Sequence, residues 1–158
     1  MDFRVSREAF LRVLTHVSSI VDSRSTIPIL SNIYLKCENN QIEIRSTDMD
    51  ISIREFVSCD STKNGEATVN SRILTDIIRK TKKNSIVKCK LEGNRLIINS
   101  DNSVFELNAL SADEFPKFVP LDPTNSFDLT IPQMKRLFNK TKFAISAEET
   151  RYYLNGIY

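Results

Sequence analysis

Apolar positions along the chain alternate between two periods, and the switches between them mark out the elements. Residues 2–5 read as a short strand, and Ser6 is placed to cap a helix. Phe10, Leu14, Val17 and Val21 then recur at helical spacing. Three strand-like runs follow: Ile27–Cys37, Gln41–Arg45 and Ile51–Val57. The same order then returns. Glu66–Val69 is a short strand, Asn70 or Ser71 is a cap, and Leu74, Ile77, Ile78 and Thr81 form a second helical stripe. Ile86–Leu91, Arg95–Asn99 and Val104–Leu110 are the strands of this second half. Asn40, Ile44 and Ser46 reappear 54 positions later as Asn94, Ile98 and Ser100. The turns Glu38-Asn39-Asn40 and Glu92-Gly93-Asn94 are short, so the strands they join are antiparallel. Two helices with two sets of such strands predict an α+β layer with both helices on one face of the sheets.

A longer repeat overlies this one. A shift of 124 positions lays Phe3–Tyr34 over Phe127–Tyr158 without a gap, and Phe3, Arg12, Thr26, Leu30, Ile33 and Tyr34 recur as Phe127, Arg136, Thr150, Leu154, Ile157 and Tyr158. Such spacing predicts tandem copies of one domain. Ser111–Ser126, with Pro116, Pro120 and Pro123 and no periodic stripe, separates them. Beyond it, Thr130 and Gln133 form a capping-box pair, Pro132 suits a first helical turn, and Met134, Leu137, Phe138 and Thr141 are the stripe of a third helix running to about Lys142. The expected division is a complete first domain over 1–120, a linker over 121–126, and the opening third of a second domain over 127–158. On that reading the chain is a fragment of a longer protein.

Charge sharpens the picture. The net charge is only +2. Yet the helical stretches 7–21, 72–83 and 132–142 hold Arg7, Arg12, Arg72, Arg79, Lys80, Lys82, Lys83, Lys135, Arg136, Lys140 and Lys142 against Glu8 and Asp76 alone. They carry +9, which leaves −7 for the rest. With the helices on one side, one face is expected to be basic and the other acidic. A basic helical face without stacking aromatics suits sequence-neutral contact with duplex phosphates; solvated Lys/Arg-rich helices are the plainer alternative.

Chemistry is scarce. One histidine, His16, neither completes a zinc site nor supports most His-dependent catalysis. Asp48 and Asp50 could share a face in a strand, but their setting reads as a polar turn. Lys82-Lys83-Asn84 reads as a helix C-terminus. Cys37, Cys59 and Cys89, odd in number and without a CxxC, read as reduced thiols of a cytosolic protein. No apolar run approaches the roughly 18 residues of a bilayer span, and no signal peptide follows Met1. The expectation is a protein that is not an enzyme, with no metal, no cofactor and no membrane partner.

Several segments are diagnostic. Ser25-Thr26-Ile27-Pro28-Ile29-Leu30-Ser31-Asn32 is similar to the family segment TLPILGN/SN, Ala112-Asp113-Glu114-Phe115-Pro116 to the joint ADEFP, and Arg151-Tyr152-Tyr153-Leu154-Asn155-Gly156 to RYYLNG. With Thr47-Asp48 and Leu91-Glu92-Gly93, they resemble the bacterial DNA polymerase III beta subunits, the sliding clamps. The resemblance implies a (βαβββ)2 DNA clamp fold, sheets outside and two helices on the inner face. It also implies a cytoplasmic head-to-tail homodimeric ring around duplex DNA, which serves as a processivity factor for the catalytic subunit of DNA polymerase III and is placed by a clamp loader. Arg24, Arg72, Arg79, Glu148, Arg151, Tyr152 and Tyr153 match DNA-contact positions. Leu154 matches the cleft for partner motifs. Ile77, Arg95, Phe105 and Leu107 match the edge that meets the other protomer. The alternatives are a stand-alone duplex-binding protein and a protein-interaction module.

Overall fold

Phe3 and Val5 alternate with Arg4 and Ser6, and the first strand, β1 (Asp2–Ser6), buries the apolar pair while turning the other two outward. The computed structural model describes residues 1–21, 27–117, 126–146 and 148–157, with all their side chains except those of residues 149 and 152. The chain divides into two compact units, Met1–Phe118 and Val119–Tyr158.

In the first unit, α1 (Arg7–Val17) buries Phe10, Val13, Leu14 and Val17. Phe10 meets Phe3 edge to face, with ring centroids 6.2 Å apart, which fastens the helix to the strand before it. Ser6 holds the N-cap position, but its side chain makes no capping bond. The helix start is tied down from a distance instead: Arg7 N–H donates to Ser85 O at 3.0 Å. A 3₁₀ turn over Ser18–Ile20 ends the helix, which leaves Val21 past the stripe expected to include it.

The expected strand Ile27–Cys37 is shorter than its pattern. Pro28–Ser31 is a 3₁₀ turn, and β2 covers Asn32–Glu38. Pro28 has no N–H for a ladder and fits a first helical position, and Ser31 Oγ closes the turn by donating to Pro28 O at 2.7 Å. β3 (Gln41–Thr47) and β4 (Ser52–Ser58) complete the half. The β2–β3 hairpin turns on Asn39 and Asn40, with φ of 52° and 59°, the left-handed pair that a two-residue turn requires.

A strand absent from the sequence reading comes next, β5 (Asp60–Lys63). Then follow β6 (Gly65–Asn70), α2 (Ser71–Lys80), β7 (Ile86–Glu92), β8 (Arg95–Ser100) and β9 (Ser103–Leu110). Of the two cap candidates, Asn70 does the work: its Oδ1 accepts from Ile73 N–H at 3.0 Å. Asn70→Ala is expected to cost about 1 kcal/mol and Asn70→Gly only a few tenths, read from urea midpoints at constant slope.

All strand pairs are antiparallel, in the order β4-β3-β2-β6-β9-β8-β7-β1-β5. Each half lends its first strand to the other: β1 pairs with β7, and β6 pairs with β2. The two ends of the order, β4 and β5, are nearly consecutive in the chain, so one segment bounds the sheet on both sides. Leu74 and Ile78 of α2 are buried, and with the α1 stripe they share one core with Ile33, Leu35, Ile42, Ile44, Leu96 and Ile98.

In the second unit, α3 (Ile131–Thr141) begins with the expected capping box. Gln133 Oε1 accepts from Thr130 N–H at 2.9 Å, and Thr130 Oγ1 accepts from Gln133 N–H at 3.5 Å. The 124-residue shift carries α1 onto α3 residue for residue, and the Ser18–Ile20 turn onto Lys142–Ala144.

Candidate nucleic-acid interface

Helices α1 and α2 lie side by side, joined by hydroxyls. Ser18 Oγ is 2.7 Å from Ser71 Oγ and 3.1 Å from Thr75 Oγ1. Because the apolar stripes face the sheet, the polar positions are left outside. Arg12, Arg72, Arg79, Lys80, Lys82 and Lys83 are all exposed. An open groove of about 770 Å³ runs along α2, lined in part by Ser18, Arg72, Thr75, Asp76 and Arg79. Arg79 is anchored there by an ion pair to Asp76 at 2.7 Å.

Arg7 does not belong to this face. Its Nε donates to Ile78 O at 3.2 Å and its Nη2 to Arg79 O at 2.7 Å. The guanidinium therefore satisfies carbonyls at the C-terminal, negative end of α2, where a cation is favoured.

The sheet surface also differs from expectation. The strands carry eight bases, Arg4, Lys36, Arg45, Arg54, Lys63, Lys88, Lys90 and Arg95. They also carry eight acids, Asp2, Glu38, Glu43, Glu55, Asp60, Glu66, Glu92 and Glu106. Many pair along or across strands: Lys36–Glu38 at 2.8 Å, Arg45–Glu43 at 2.6 Å, Lys90–Glu92 at 2.5 Å and Arg95–Glu106 at 3.1 Å. The wall is charge-balanced rather than acidic. The acids that outnumber bases outside the helices of this unit sit in turns, at Asp48, Asp50, Asp101, Asp113 and Glu114. Alternation along strands lets opposite charges meet as neighbours, which net charge by segment does not reveal. Asp48 is committed to its turn: Oδ1 accepts from Asp50 N–H at 3.0 Å and Ile51 N–H at 2.7 Å.

One cluster had no signal in the sequence. Tyr34 donates its hydroxyl to Glu66, lies under the Arg45 guanidinium at 4.8 Å, and packs against Phe115 with centroids 5.8 Å apart. Burial, then the bond to Glu66, pushes the Tyr34 hydroxyl well above its ordinary range. Phe115, buried at 5% exposure, thereby pins the Ala112–Glu114 turn to the outside of the sheet.

The edge residues separate. Arg95 is exposed and Ile77 and Phe105 are partly buried against the core, whereas Leu107 is 5% exposed and belongs to this unit's own core. Leu107 is thus unavailable to a partner surface without rearrangement. The outward apolar residues on that strand are Val104, at 65% exposure, and Leu110, at 45%. β9 pairs with β8 along its length but with β6 only at Ala109 and Leu110. Among the described residues, Ser103–Asn108 has no strand on its second side.

In the second unit Arg151 Nε pairs with Glu148 Oε2 at 3.1 Å, so the acid neutralises the base beside it. Ser146 N–H donates to Leu154 O at 3.0 Å, which draws the segment back on itself and leaves Tyr153 and Leu154 exposed. Arg24 and the side chain of Tyr152 lie outside the described residues. No helix among the described residues is long and apolar enough to cross a membrane.

Two β-α-β-β-β halves closing an antiparallel wall around a pair of basic helices define the DNA clamp class of fold. The profile of the DNA polymerase III beta subunit, N-terminal domain, matches residues 1–119. The chain belongs to the DNA polymerase III beta subunit family. It is 38% identical to the beta sliding clamp of Caulobacter vibrioides over 160 aligned positions, covering 100% of this chain and 43% of that protein. It is 32% identical to the clamp of Pseudomonas aeruginosa, again spanning 43% of it. The crystal structure of a Bartonella birtlesii sliding clamp bound to griselimycin superposes with a TM-score of 0.96 at 37% identity, over 100% of this chain and 42% of that one. The chain thus spans less than half the length of the relatives it matches.

Proposed function

We propose that the chain supplies the first domain, and the start of the second, of a sliding clamp. On this reading residues 1–120 are the first clamp domain, 121–126 a linker and 127–158 the opening of the second. The assembled ring encircles duplex DNA without reading sequence and tethers the catalytic subunit of DNA polymerase III. A clamp loader places it, and the protein works in the cytoplasm. It performs no chemistry: its effect is topological, since weak phosphate contacts permit sliding while closure prevents escape. The observation that carries this is the exposed basic surface of α2 and the turn after it, with Arg12 of α1, against a charge-balanced wall of strands. Arg72 and Arg79 are the phosphate contacts of the first domain, and Arg24 is a further contact by its match to the family. Arg151, Tyr152 and Tyr153 are the expected DNA contacts of the second domain, where the ion pair from Glu148 to Arg151 weakens the attraction. Leu154 contributes to the cleft for partner motifs. The open side of β9 over Ser103–Asn108, which includes Phe105, supports head-to-tail pairing with a second protomer, to which Ile77 and Arg95 also contribute.

The test is a chimera in which residues 1–158 replace the aligned segment of the Caulobacter vibrioides clamp. It should dimerise, persist on nicked circular duplex, run off linear duplex, and raise polymerase processivity when loaded. A chimera that dimerises but leaves circular and linear duplex equally fast would refute the clamp reading and favour ordinary duplex binding. The 158-residue chain alone is expected to bind linear duplex weakly at physiological salt.

A further inference from the structure

Two thiols stand outside every role described above. Cys37, on β2, and Cys59, at the junction of β4 and β5, hold their Sγ atoms 3.9 Å apart. A disulfide needs about 2.05 Å between sulfurs, a closure of under 2 Å that side-chain torsions and small strand shifts can supply. Cys37 is fully buried, but Cys59 is 9% exposed and lines an outward-opening hollow of about 190 Å³, shared with Arg4, Ser6, Ser58, Asp60 and Ile86. A peroxide fits that space. Cys89, on β7, is fully buried and provides an internal reference.

We propose that Cys37 and Cys59 are a peroxide-driven intramolecular disulfide site, with Cys59 the attacking sulfur and Cys37 the resolving one. Cys59, as thiolate, attacks a peroxide oxygen; the O–O bond breaks, hydroxide leaves, and Cys59 becomes a sulfenic acid. Cys37 then attacks that sulfur, and the S–O bond breaks as the oxygen departs as water with the released proton. Two thiols and one hydrogen peroxide give one disulfide and two waters, each sulfur losing one electron. Burial holds both thiols above their ordinary value, Cys59 at about 12. The thiolate fraction at neutral pH is therefore small, and the site responds slowly, to sustained rather than brief peroxide. The bond ties β2 to the corner where one chain segment bounds the sheet on both sides. It restrains the unfolded chain between residues 37 and 59 and leaves the basic helical face untouched.

The experiment uses the reduced 158-residue chain, incubated with hydrogen peroxide in large excess, then denatured and alkylated. Intact mass should show loss of two hydrogens and one alkylated thiol, and a non-reducing peptide map should join Cys37 to Cys59. The thermal midpoint should rise by roughly 10 °C and fall back on reduction. Cys37→Ser should halt at a Cys59 sulfenic acid that dimedone captures, whereas Cys89→Ser should oxidise like the parent. Three alkylatable thiols after prolonged exposure, a bridge through Cys89, or oxygen adducts at Cys59 of the unsubstituted chain without a bridge would each overturn the proposal. The map of the unsubstituted chain decides the matter even if Cys37→Ser fails to fold.

Discussion

Arg72→Glu with Arg79→Glu, in the ring-forming chimera, is expected to lower affinity for duplex roughly sixtyfold at about 0.1 M salt. Each phosphate contact releases condensed counterion, so its contribution scales roughly as the salt concentration to the power −0.9, about eightfold at that salt. Two lost contacts multiply to the stated loss and should make the log–log salt slope shallower by about 1.8. Both residues are exposed on α2, and the exposed cations Arg12, Lys80, Lys82 and Lys83 remain to hold residual binding. The carboxylate introduced by Arg79→Glu would face Asp76 at i,i+3 and sit unfavourably near the negative end of α2, costs of a few tenths to about 1 kcal/mol in helix stability. A thermal melt of each variant separates that effect from lost contact. The decisive control is reversal on the wall: Lys88→Glu with Lys90→Glu changes net charge equally but lies on β7. If the wall variant weakens DNA binding as much as the helix variant, attraction is set by overall charge and the helices are not the contact face.

The sequence exposes what is local and periodic. The α1 and α2 stripes, the Asn39-Asn40 turn and the Thr130–Gln133 capping box each depend on residues within a few positions of one another, and each forms, although the helices end before Val21 and Thr81, the last members of the expected stripes. β5 does not: Asp60-Ser61-Thr62-Lys63 has no apolar alternation, and it is a strand because β1 presents an unpaired side to it. Propensity cannot signal a strand whose cause lies sixty residues away. Pro28 shows the reverse error, an apolar run that reads as strand until the missing N–H is counted. Of the candidate contact residues, Arg72 and Arg79 emerge where helical spacing puts them. Arg7 is lost to the carbonyls of α2, and Leu107 to the core, because composition records charge and hydrophobicity but not direction. The Tyr34, Glu66 and Phe115 cluster joins three distant segments, so only the folded register could bring it to view.

Raising the pH from 8 to 11 under reducing conditions is expected to strip several kcal/mol from the stability of this protein, beginning near pH 9. Cys37, Cys59 and Cys89 are buried, and burial is the first cause that pushes each thiol above its ordinary value of 9.0. Tyr34 is displaced the same way from 10.0. In each case the folded protein holds the proton more tightly than the unfolded chain does. Below the unfolded value both states are protonated and the stabilisation is complete. Above it the unfolded chain ionises first, and stability falls until the folded value is reached, at about 12 for Cys59. Each group contributes a slope of about 1.4 kcal/mol per pH unit within its window. Cys59 accounts for roughly 3 kcal/mol over the two units above pH 9, and Cys89 acts in the same direction, a sum that is a large part of the stability of many domains. Urea midpoints across pH 8–11 would measure the slope. Cys59→Ala with Cys89→Ala should be less stable at pH 8, because buried sulfur is lost, yet flatter above pH 9 by at least about 1.4 kcal/mol per unit. The two curves therefore converge as pH rises. Parallel curves would mean that the buried thiols do not carry the alkaline limb, and would leave lysine deprotonation and loss of the wall's ion pairs as its cause.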